Sequence, residues 1–259
     1  MDNSVYINLS RQSGLLKEMR VIANNIANVS TTGFRRQGAV FSEYVVQAGA
    51  PSNGQNPLKG HQASLSGSIS GSVSMGRLGA HFDDFSNGGL NQTGGTYDLA
   101  IDGEGFFRIG TDAGERLTRA GRFMTDRDGT LITVDGYSVL DEAGSTIQIP
   151  PDVGLIAIGG DGSISADGQP LGKIGIVTAP AQSMERMGDN LWQLRTGGQF
   201  APHDNPKIMQ GFLESSNVNP IIEIARMIEV QRAYEAGQKL LEIEDERIGK
   251  TVRTISQPP

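Results

Sequence analysis

The sequence contains no cysteine, which excludes disulfide bonds, thiolate nucleophiles and cysteine-type zinc sites. Its three histidines, His61, His81 and His203, are scattered and do not have a zinc-binding spacing. No apolar run approaches the roughly 18 residues that a membrane-spanning helix needs, so we expect no direct membrane insertion. The net charge of −7, without a dominant basic patch, argues against a nucleic-acid partner.

The motifs of common enzyme classes are incomplete. Residues 103–105 read Gly-Glu-Gly but continue with two phenylalanines, so the third glycine of a dinucleotide-binding loop is missing. Residues 126–129 resemble the start of a calcium loop, but Tyr137 occupies the position where a closing glutamate would stand. No serine lies in a Gly-x-Ser-x-Gly elbow. We therefore predict no enzyme activity, no catalytic residues, no cofactor and no metal site, and we interpret 126–129 as a hairpin turn.

Apolar stripes with helical periodicity occupy both ends of the chain. The residues recur at spacings of three and four, and the series is interrupted only by Gln12 at the front and by Gly237 and Glu244 at the back. They are Val5, Leu9, Leu16, Met19, Ala23 and Ile26, and then Met227, Val230, Tyr234, Leu241 and Ile248. This is the pattern of a coiled-coil seam. Because a lone helix of about 25 residues is marginal in water, each stripe needs a partner. That partner is the other terminus or the termini of neighbouring subunits.

Local signals set the limits of the two helices. We predict that the first helix runs from about Asn3 to Ala27, before a stretch of poor helix formers that ends in glycine. The second should begin at Pro220, which suits the first helical position, with Asn219 as the N-terminal cap. It should continue to about Arg253.

The region between the helices is predicted to be β-structure. Short strand-like runs alternate with turn signals, including Asp-Gly at 128–129 and 135–136. Such a pattern predicts a barrel or a sandwich of short strands. Phe106 and Phe107 should belong to its core and point to opposite faces. The serine-alternating segment 64–75 could be an arm ordered by contacts with other chains or a flexible linker.

The predicted fold class is therefore α+β, with terminal helices in a coiled-coil-like domain and a central all-β domain. The predicted divisions are an N-terminal helix (1–34), an extended Gly/Ser-rich linker arm (35–80), a central β-domain (81–206), and a C-terminal segment with its helix (207–259).

Several motifs resemble one known family. Residues 23–34, which read Ala-Asn-Asn-Ile-Ala-Asn-Val-Ser-Thr-Thr-Gly-Phe, resemble the N-terminal signature of bacterial flagellar rod and hook proteins. Similarity to the family's central-domain and C-terminal motifs is found, in the family's order, at residues 99–107, 117–123, 126–131, 214–220 and 227–235. Within the family, residues 10–12, 219–223 and 228–230 resemble the proximal-rod members more than the distal-rod members, which are the alternative.

The resemblance implies a structural subunit of the flagellar basal-body rod, in the periplasm-spanning part of the flagellum. It implies assembly with copies of itself and with other rod proteins into the drive shaft and export channel. Family members form an inner coiled-coil tube from their termini, with the β-domain outside it. They leave the cell through the flagellar type III export apparatus, which fits the lack of signal-peptide features in residues 1–30.

The predicted assembly interface consists of the two apolar stripes and the asparagines near the end of the first helix, Asn24, Asn25 and Asn28. For these asparagines, a solvated helix end is the alternative interpretation. A different class of protein also stays open at this point. It is a secreted β-domain that binds a ligand such as a glycan and uses its helices only to oligomerise.

Overall fold

The computed structural model describes residues 2–47, 72–195 and 197–256, with a long helix at each end of the chain. Helix α1 spans Asp2–Ala27, and helix α2 spans Pro220–Ser256. Asn219 Oδ1 accepts hydrogen bonds from the backbone N–H groups of Ile221 and Ile222 at 3.1 and 3.3 Å. These two bonds satisfy amide groups that have no partner inside the helix. The predicted helices and the predicted cap are thus confirmed. None of the described helices is long and apolar enough to cross a membrane.

The segments between the helices form short β-strands, together with a 3₁₀ turn at Ala181–Ser183. In chain order the described strands are β1 (Gln37–Gln47), β2 (Ser72–Asp83), β3 (Leu90–Gln92), β4 (Leu99–Ile101), β5 (Phe106–Thr111), β6 (Gly114–Thr118), β7 (Phe123–Thr125), β8 (Leu131–Thr133), β9 (Ser138–Val139), β10 (Ile156–Ile158), β11 (Ser163–Ala166), β12 (Gln169–Lys173), β13 (Ile176–Thr178), β14 (Met184–Arg186), β15 (Leu191–Leu194), β16 (Ala201–Pro202), β17 (Ile208–Gln210) and β18 (Phe212–Glu214). Residues 72–75 of the predicted serine arm begin β2, and residues 64–71 lie outside the described part of the chain.

The largest sheet is open, so the barrel alternative is wrong. Its nine strands include the path β14-β15-β6-β5-β9-β8-β7, and the end strands β14 and β7 do not pair with each other. The cause lies at β5, which pairs with β6 on one edge and with both β9 and β13 along the other. The sheet therefore branches at β5 instead of curling to closure. The remaining sheets are small: β1-β2, β10-β11-β12, β17-β4 and β18-β3.

Two apolar clusters are packed against β5. Phe107 is fully buried in the larger cluster, which is rich in isoleucine and leucine. Phe106 belongs to the smaller cluster, together with Trp192 and Met184. Successive strand residues point to opposite faces of a sheet, and the two phenylalanines thus reach separate cores. Their predicted placement is confirmed.

The chain divides into two compact units. Residues 1–23, 38–82 and 224–259 form one, called the terminal unit here, which contains most of α1 and α2. Residues 24–37 and 83–223 form the other, called the β unit. The last turn of α1 and the first residues of α2 belong to the β unit.

Candidate functional site

Within the terminal unit, α1 and α2 meet at the residues that interrupt their apolar stripes. Gln12 Nε2 donates a hydrogen bond to the backbone oxygen of Tyr234 at 2.9 Å. A Cβ atom added at Gly237 would lie 2.1 Å from the same nitrogen, so the missing side chain makes room for Gln12. Glu18 and Arg226 form an ion pair at 3.0 Å. Contacts of 12 with 234 and of 18 with 226 show that the two helices run antiparallel.

The predicted stripe of α1 is only partly covered within one chain. Leu9 is 58% exposed and Leu16 is 39% exposed. The residues that α1 buries include Gln12, which interrupts the stripe, and Glu18 and Ile22, which each lie one position before a stripe residue. Ala23 and Asn24 are exposed, Met19, Ile26 and Asn28 are half-buried, and the side chain of Val5 lies outside the described part of the structure.

The predicted stripe of α2 is more buried than that of α1. Val230 is buried, and Met227, Tyr234 and Leu241 are half-buried, whereas Ile248 near the end of the helix is exposed. A groove of about 740 Å³ remains in the terminal unit, with Leu9, Leu16, Tyr234 and Leu241 among its lining residues. Four members of the two predicted stripes therefore line a groove that the described residues of one chain leave open.

Helix α2 also exposes large apolar residues outside that stripe. They are Ile221, Ile222, Ile224, Ile228, Leu240 and Ile243, with exposures from 46% to 78%. A helix that is apolar on several faces is typical of a buried helix. Exposed apolar surface of this extent is a signature of interaction with other chains.

In the β unit, three motif segments meet at one buried carboxylate. Glu214 is 1% exposed and forms ion pairs with Arg35 at 2.6 Å and with Arg119 at 2.7 Å. It also accepts a hydrogen bond from the backbone N–H of Gly88 at 2.9 Å. The side chains of both arginines are at most 2% exposed. This contact joins the N-terminal, central and C-terminal motifs inside a single chain.

Arg119 extends the same contact into the central motif. Its guanidinium donates hydrogen bonds to the backbone oxygens of Gly105 at 2.7 Å and Ile101 at 3.0 Å. Burial lowers the pKa of Arg119, and the nearby carboxylate of Glu214 opposes that shift. The buried cation is therefore stabilised by a charge and by backbone dipoles together, as a desolvated charge requires.

A second buried carboxylate anchors the end of α1. Glu223 is 1% exposed and accepts hydrogen bonds from Arg36 Nε at 2.6 Å and from Asn25 Nδ2 at 3.1 Å. Asn25 is fully buried and also exchanges hydrogen bonds with the backbone of Gln37 at 2.8 and 2.9 Å. The amide of Asn25 is thus engaged within its own chain, and its predicted place in an assembly interface remains a prediction.

The other two asparagines lie where α1 ends. Asn28 Nδ2 donates a hydrogen bond to the backbone oxygen of Asn24 at 2.8 Å. Asn28 Oδ1 accepts one from Thr31 Oγ1 at 3.1 Å. The backbone N–H of Asn28 also donates to the backbone oxygen of Asn24, at 3.2 Å, so the side chain adds a second hydrogen bond to a carbonyl in the last turn of its own helix.

Arg186 connects the segment after α1 with the smaller apolar cluster. Its guanidinium lies 4.7 Å from the ring centre of Phe34 and 4.6 Å from that of Trp192, an arrangement that favours cation–π attraction. It forms an ion pair with Asp83 at 2.9 Å and donates a hydrogen bond to the backbone oxygen of Arg35. Burial lowers the pKa of Arg186, and Asp83 opposes this shift. Because Trp192 is the chain's only tryptophan, its fluorescence reports on this contact.

Gly33 lies at the centre of the motif contacts. It has a φ of 65°, and its N–H donates a hydrogen bond to the backbone oxygen of Glu214 at 2.8 Å. A Cβ atom at this position would lie 2.4 Å from the backbone carbon of Arg119. Both the backbone conformation and the close approach therefore require glycine, in addition to the turn expected from the sequence.

We expect Gly33→Ala to destabilise the β unit by about 2–5 kcal/mol, the sum of a left-handed backbone and an overpacked contact. The matched control is Gly136→Ala, because Gly136 has a φ of 88° but open space where a Cβ atom would lie. That variant should lose only about 1–2 kcal/mol. Urea unfolding followed by Trp192 fluorescence measures both values. Equal losses in the two variants would contradict the proposed role of the Gly33–Arg119 contact.

The roles of the buried charges were not apparent from the sequence. Arg119, Glu214 and Glu223 were visible only as members of motifs, and Arg35 and Arg36 only as residues beside one. The ion-pair partners lie 95–187 positions apart. The one signal was that charged residues lie within or beside the N-terminal, central and C-terminal motifs. The sequence assigns these residues no catalytic or ligand-binding role. Among the described residues, no cluster of three or more histidine, aspartate or glutamate side chains has an arrangement that could hold a metal ion.

Comparisons with known proteins agree with this distribution of motifs. Residues 6–35 match the family described as flagella basal body rod protein, residues 100–166 match the flagellar hook protein FlgE/F/G D1 domain, and residues 209–254 match the flagellar basal body rod FlgEFG protein C-terminal family. The chain is 39% identical to the flagellar basal-body rod protein FlgF of Caulobacter vibrioides, over 93% of each sequence. It is 38% identical to FlgG of Bacillus subtilis, over 97% of this chain and 98% of the relative. It is 35% identical to FlgF of Mesorhizobium japonicum, over 98% of each.

Proposed function

The chain belongs to the flagellar basal-body rod proteins, and from that premise we propose that its terminal helices are the elements through which it joins its neighbours in the rod. The resemblance found in the sequence is confirmed, including the similarity to FlgF. The chain is a structural subunit of the flagellar basal body, from a family that is structural rather than enzymatic. It assembles with other axial proteins of the rod.

The observation that carries the proposal is the uncovered apolar surface of both helices. Leu9 and Leu16 line a groove, and α2 exposes further apolar residues on other faces. Burial of each such side chain stabilises a contact by about 1.5–3 kcal/mol, so covering several of them makes a large favourable contribution to the free energy of assembly. We propose that the covered helices pack as coiled coils and line the export channel, and that the chain reaches the rod through the flagellar type III export apparatus.

The alternative of a secreted ligand-binding β-domain is not favoured. The relatives named above are rod proteins, and they match the chain over both helices as well as over the β-structure. The described residues contain no cluster of three or more histidine, aspartate or glutamate side chains that could hold a metal ion, and assembly accounts for the exposed apolar surface of the helices.

Trypsin cleavage tests whether neighbouring subunits cover the helices. In dilute purified protein, we expect rapid cleavage at Lys17 and Arg20 of α1 and at Arg232 and Lys239 of α2, because all four side chains are exposed. In isolated basal bodies, the same four sites should be protected, because assembled neighbours would cover the helices. The two samples are digested in the same buffer, and the cleavage sites are identified by mass spectrometry. Equal cleavage rates in the two samples would contradict assembly through the helices.

A further inference from the structure

We propose that the groove between α1 and α2 receives helix α2 of a second copy of this chain, which lies antiparallel to α1. This inference rests on the proposed helix-mediated assembly and specifies which two surfaces meet. The contact is heterologous, since a groove on one copy meets a different surface on the next. Contacts of this type build open helical assemblies when the rotation does not close.

The groove has an apolar end and a basic end. Leu9 and Leu16 lie along its α1 side, and Lys17 and Arg20 follow toward the C-terminal end of that helix. Leu9, Lys17 and Arg20 are exposed, and neither basic side chain forms an ion pair with another residue in the described ranges. An occupant of complementary chemistry therefore needs an acidic group at one end and bulky apolar groups at the other.

A stripe on α2 has this composition. It runs along a different face from the groove residues Tyr234 and Leu241, at helical spacings of three and four, and consists of Glu229, Ala233, Ala236, Leu240 and Ile243. Leu240 is 49% exposed and Ile243 is 65% exposed. The small residues in the middle of the stripe allow close approach of two helix backbones. Glu229 is exposed and has no ion pair with any residue that the structure describes.

The distance between the charged end and the apolar end is the same on the groove and on the α2 stripe. Arg20 and Leu9 are eleven positions apart on α1, and Glu229 and Leu240 are eleven positions apart on α2. At a rise of 1.5 Å per residue, each pair spans about 16 Å. An antiparallel alignment therefore places Arg20 beside Glu229 and Leu9 beside Leu240 at the same time. Leu16 then faces Ala233, which leaves room for the larger side chain.

The direction of the second helix follows from the symmetry of the assembly. Successive copies along a helical rod point the same way, because one rotation and one translation relate them. With α2 lying along the rod axis, as the proposal requires, the second copy's α2 runs parallel to the first copy's α2. Since α1 and α2 of one chain are antiparallel, it runs antiparallel to α1, as the charge and spacing match requires.

Cysteine cross-linking tests the alignment, because the native chain has no cysteine. A strain lacking the native chain produces two full-length variants with different epitopes, Leu9→Cys and Leu240→Cys. After mild oxidation of isolated basal bodies, we expect the mixed disulfide-linked dimer as a main product. The matched control replaces Leu240→Cys with Glu242→Cys, which is exposed at nearly the same height but on another face. A disulfide requires Cα atoms about 4.4–6.8 Å apart, so the control should give roughly tenfold less product.

Equal yields from the two pairs, or no mixed dimer in basal bodies that contain both variants, would overturn the proposed alignment. Neither outcome would affect the proposed function, because the variants would still be present in the rod. Absence of the chain from basal bodies would instead overturn the proposed function and this inference together.

Charge exchange tests the polar end of the contact. Arg20→Glu and Glu229→Arg should each weaken assembly several-fold, because like charges would then meet. An equal mixture of the two variants should restore assembly, since each mutated residue would meet an opposite charge on the other variant. A pair within one chain could not be repaired by mixing. Assembly of the mixture at the level of the weaker variant would overturn the pairing of Arg20 with Glu229.

Discussion

Leu16→Asp and Leu241→Asp should each abolish rod assembly, and with it motility, while the β unit stays folded. Leu16 is 39% exposed in one chain, so a charge there is tolerated by the isolated subunit. In the assembled rod the same aspartate would be desolvated against apolar neighbours, which is costly for an unpaired charge. The cost recurs in every copy of a repeating assembly. Leu241 lines the same groove from α2 and should give the same result.

The measurement is complementation of a strain that lacks the protein, scored by swimming and by purification of basal bodies. Secretion of each variant into the medium is measured in parallel, so that a failure of export is recognised. Glu242→Gln is the control, since Glu242 is exposed and a surface charge contributes only about 0–1 kcal/mol. Normal swimming of either aspartate variant would show that the groove is not packed against a neighbour.

Glu214→Gln should destabilise the β unit by about 3–5 kcal/mol, which is the cost of removing one partner from a buried ion pair. Arg35 and Arg119 would remain buried without the carboxylate that both of them contact. The variant keeps the size of the side chain, so the loss reports on charge and hydrogen bonding rather than on a cavity. Urea unfolding followed by Trp192 fluorescence gives the free energy of unfolding.

Glu142→Gln is the matched control for Glu214→Gln. Glu142 forms an ion pair with Lys173 at 2.8 Å in the same unit, but its side chain is 55% exposed. Its loss should change the free energy of unfolding by less than about 1 kcal/mol. If both variants lose the same amount, the buried carboxylate does not hold the motif segments together as described.

Features that depend on neighbouring residues could be predicted from the sequence. The Asn219–Pro220 cap sets the start of α2, and its backbone groups lie within three residues of one another. The Asp-Gly turn at 128–129 produces the β7–β8 hairpin, because Gly129 has a φ of 79° and Asp126 accepts hydrogen bonds within the turn. Alternation along a strand likewise predicts that Phe106 and Phe107 reach different cores.

Features that depend on distant residues could not be predicted in the same way. The sheet is open because β5 pairs with both β9 and β13 along one edge, and no local sequence pattern indicates this pairing. The Gln12–Gly237 contact explains why a polar residue interrupts one stripe and a glycine interrupts the other. From periodicity alone, both residues are only exceptions to the apolar pattern. The ion pairs of Glu214 join residues that are 95 and 179 positions away. The motifs therefore contain residues that hold the segments of one subunit together, and the assembly role predicted for their asparagines remains a prediction.

Electron microscopy of isolated basal bodies shows directly whether the terminal helices join neighbouring subunits. We expect density for this chain in the rod, with α1 and α2 packed against the helices of neighbouring subunits and the groove beside Leu9 and Leu16 occupied. Absence of the chain from the rod, or a rod position in which its terminal helices contact no neighbouring subunit, would contradict assembly through these helices.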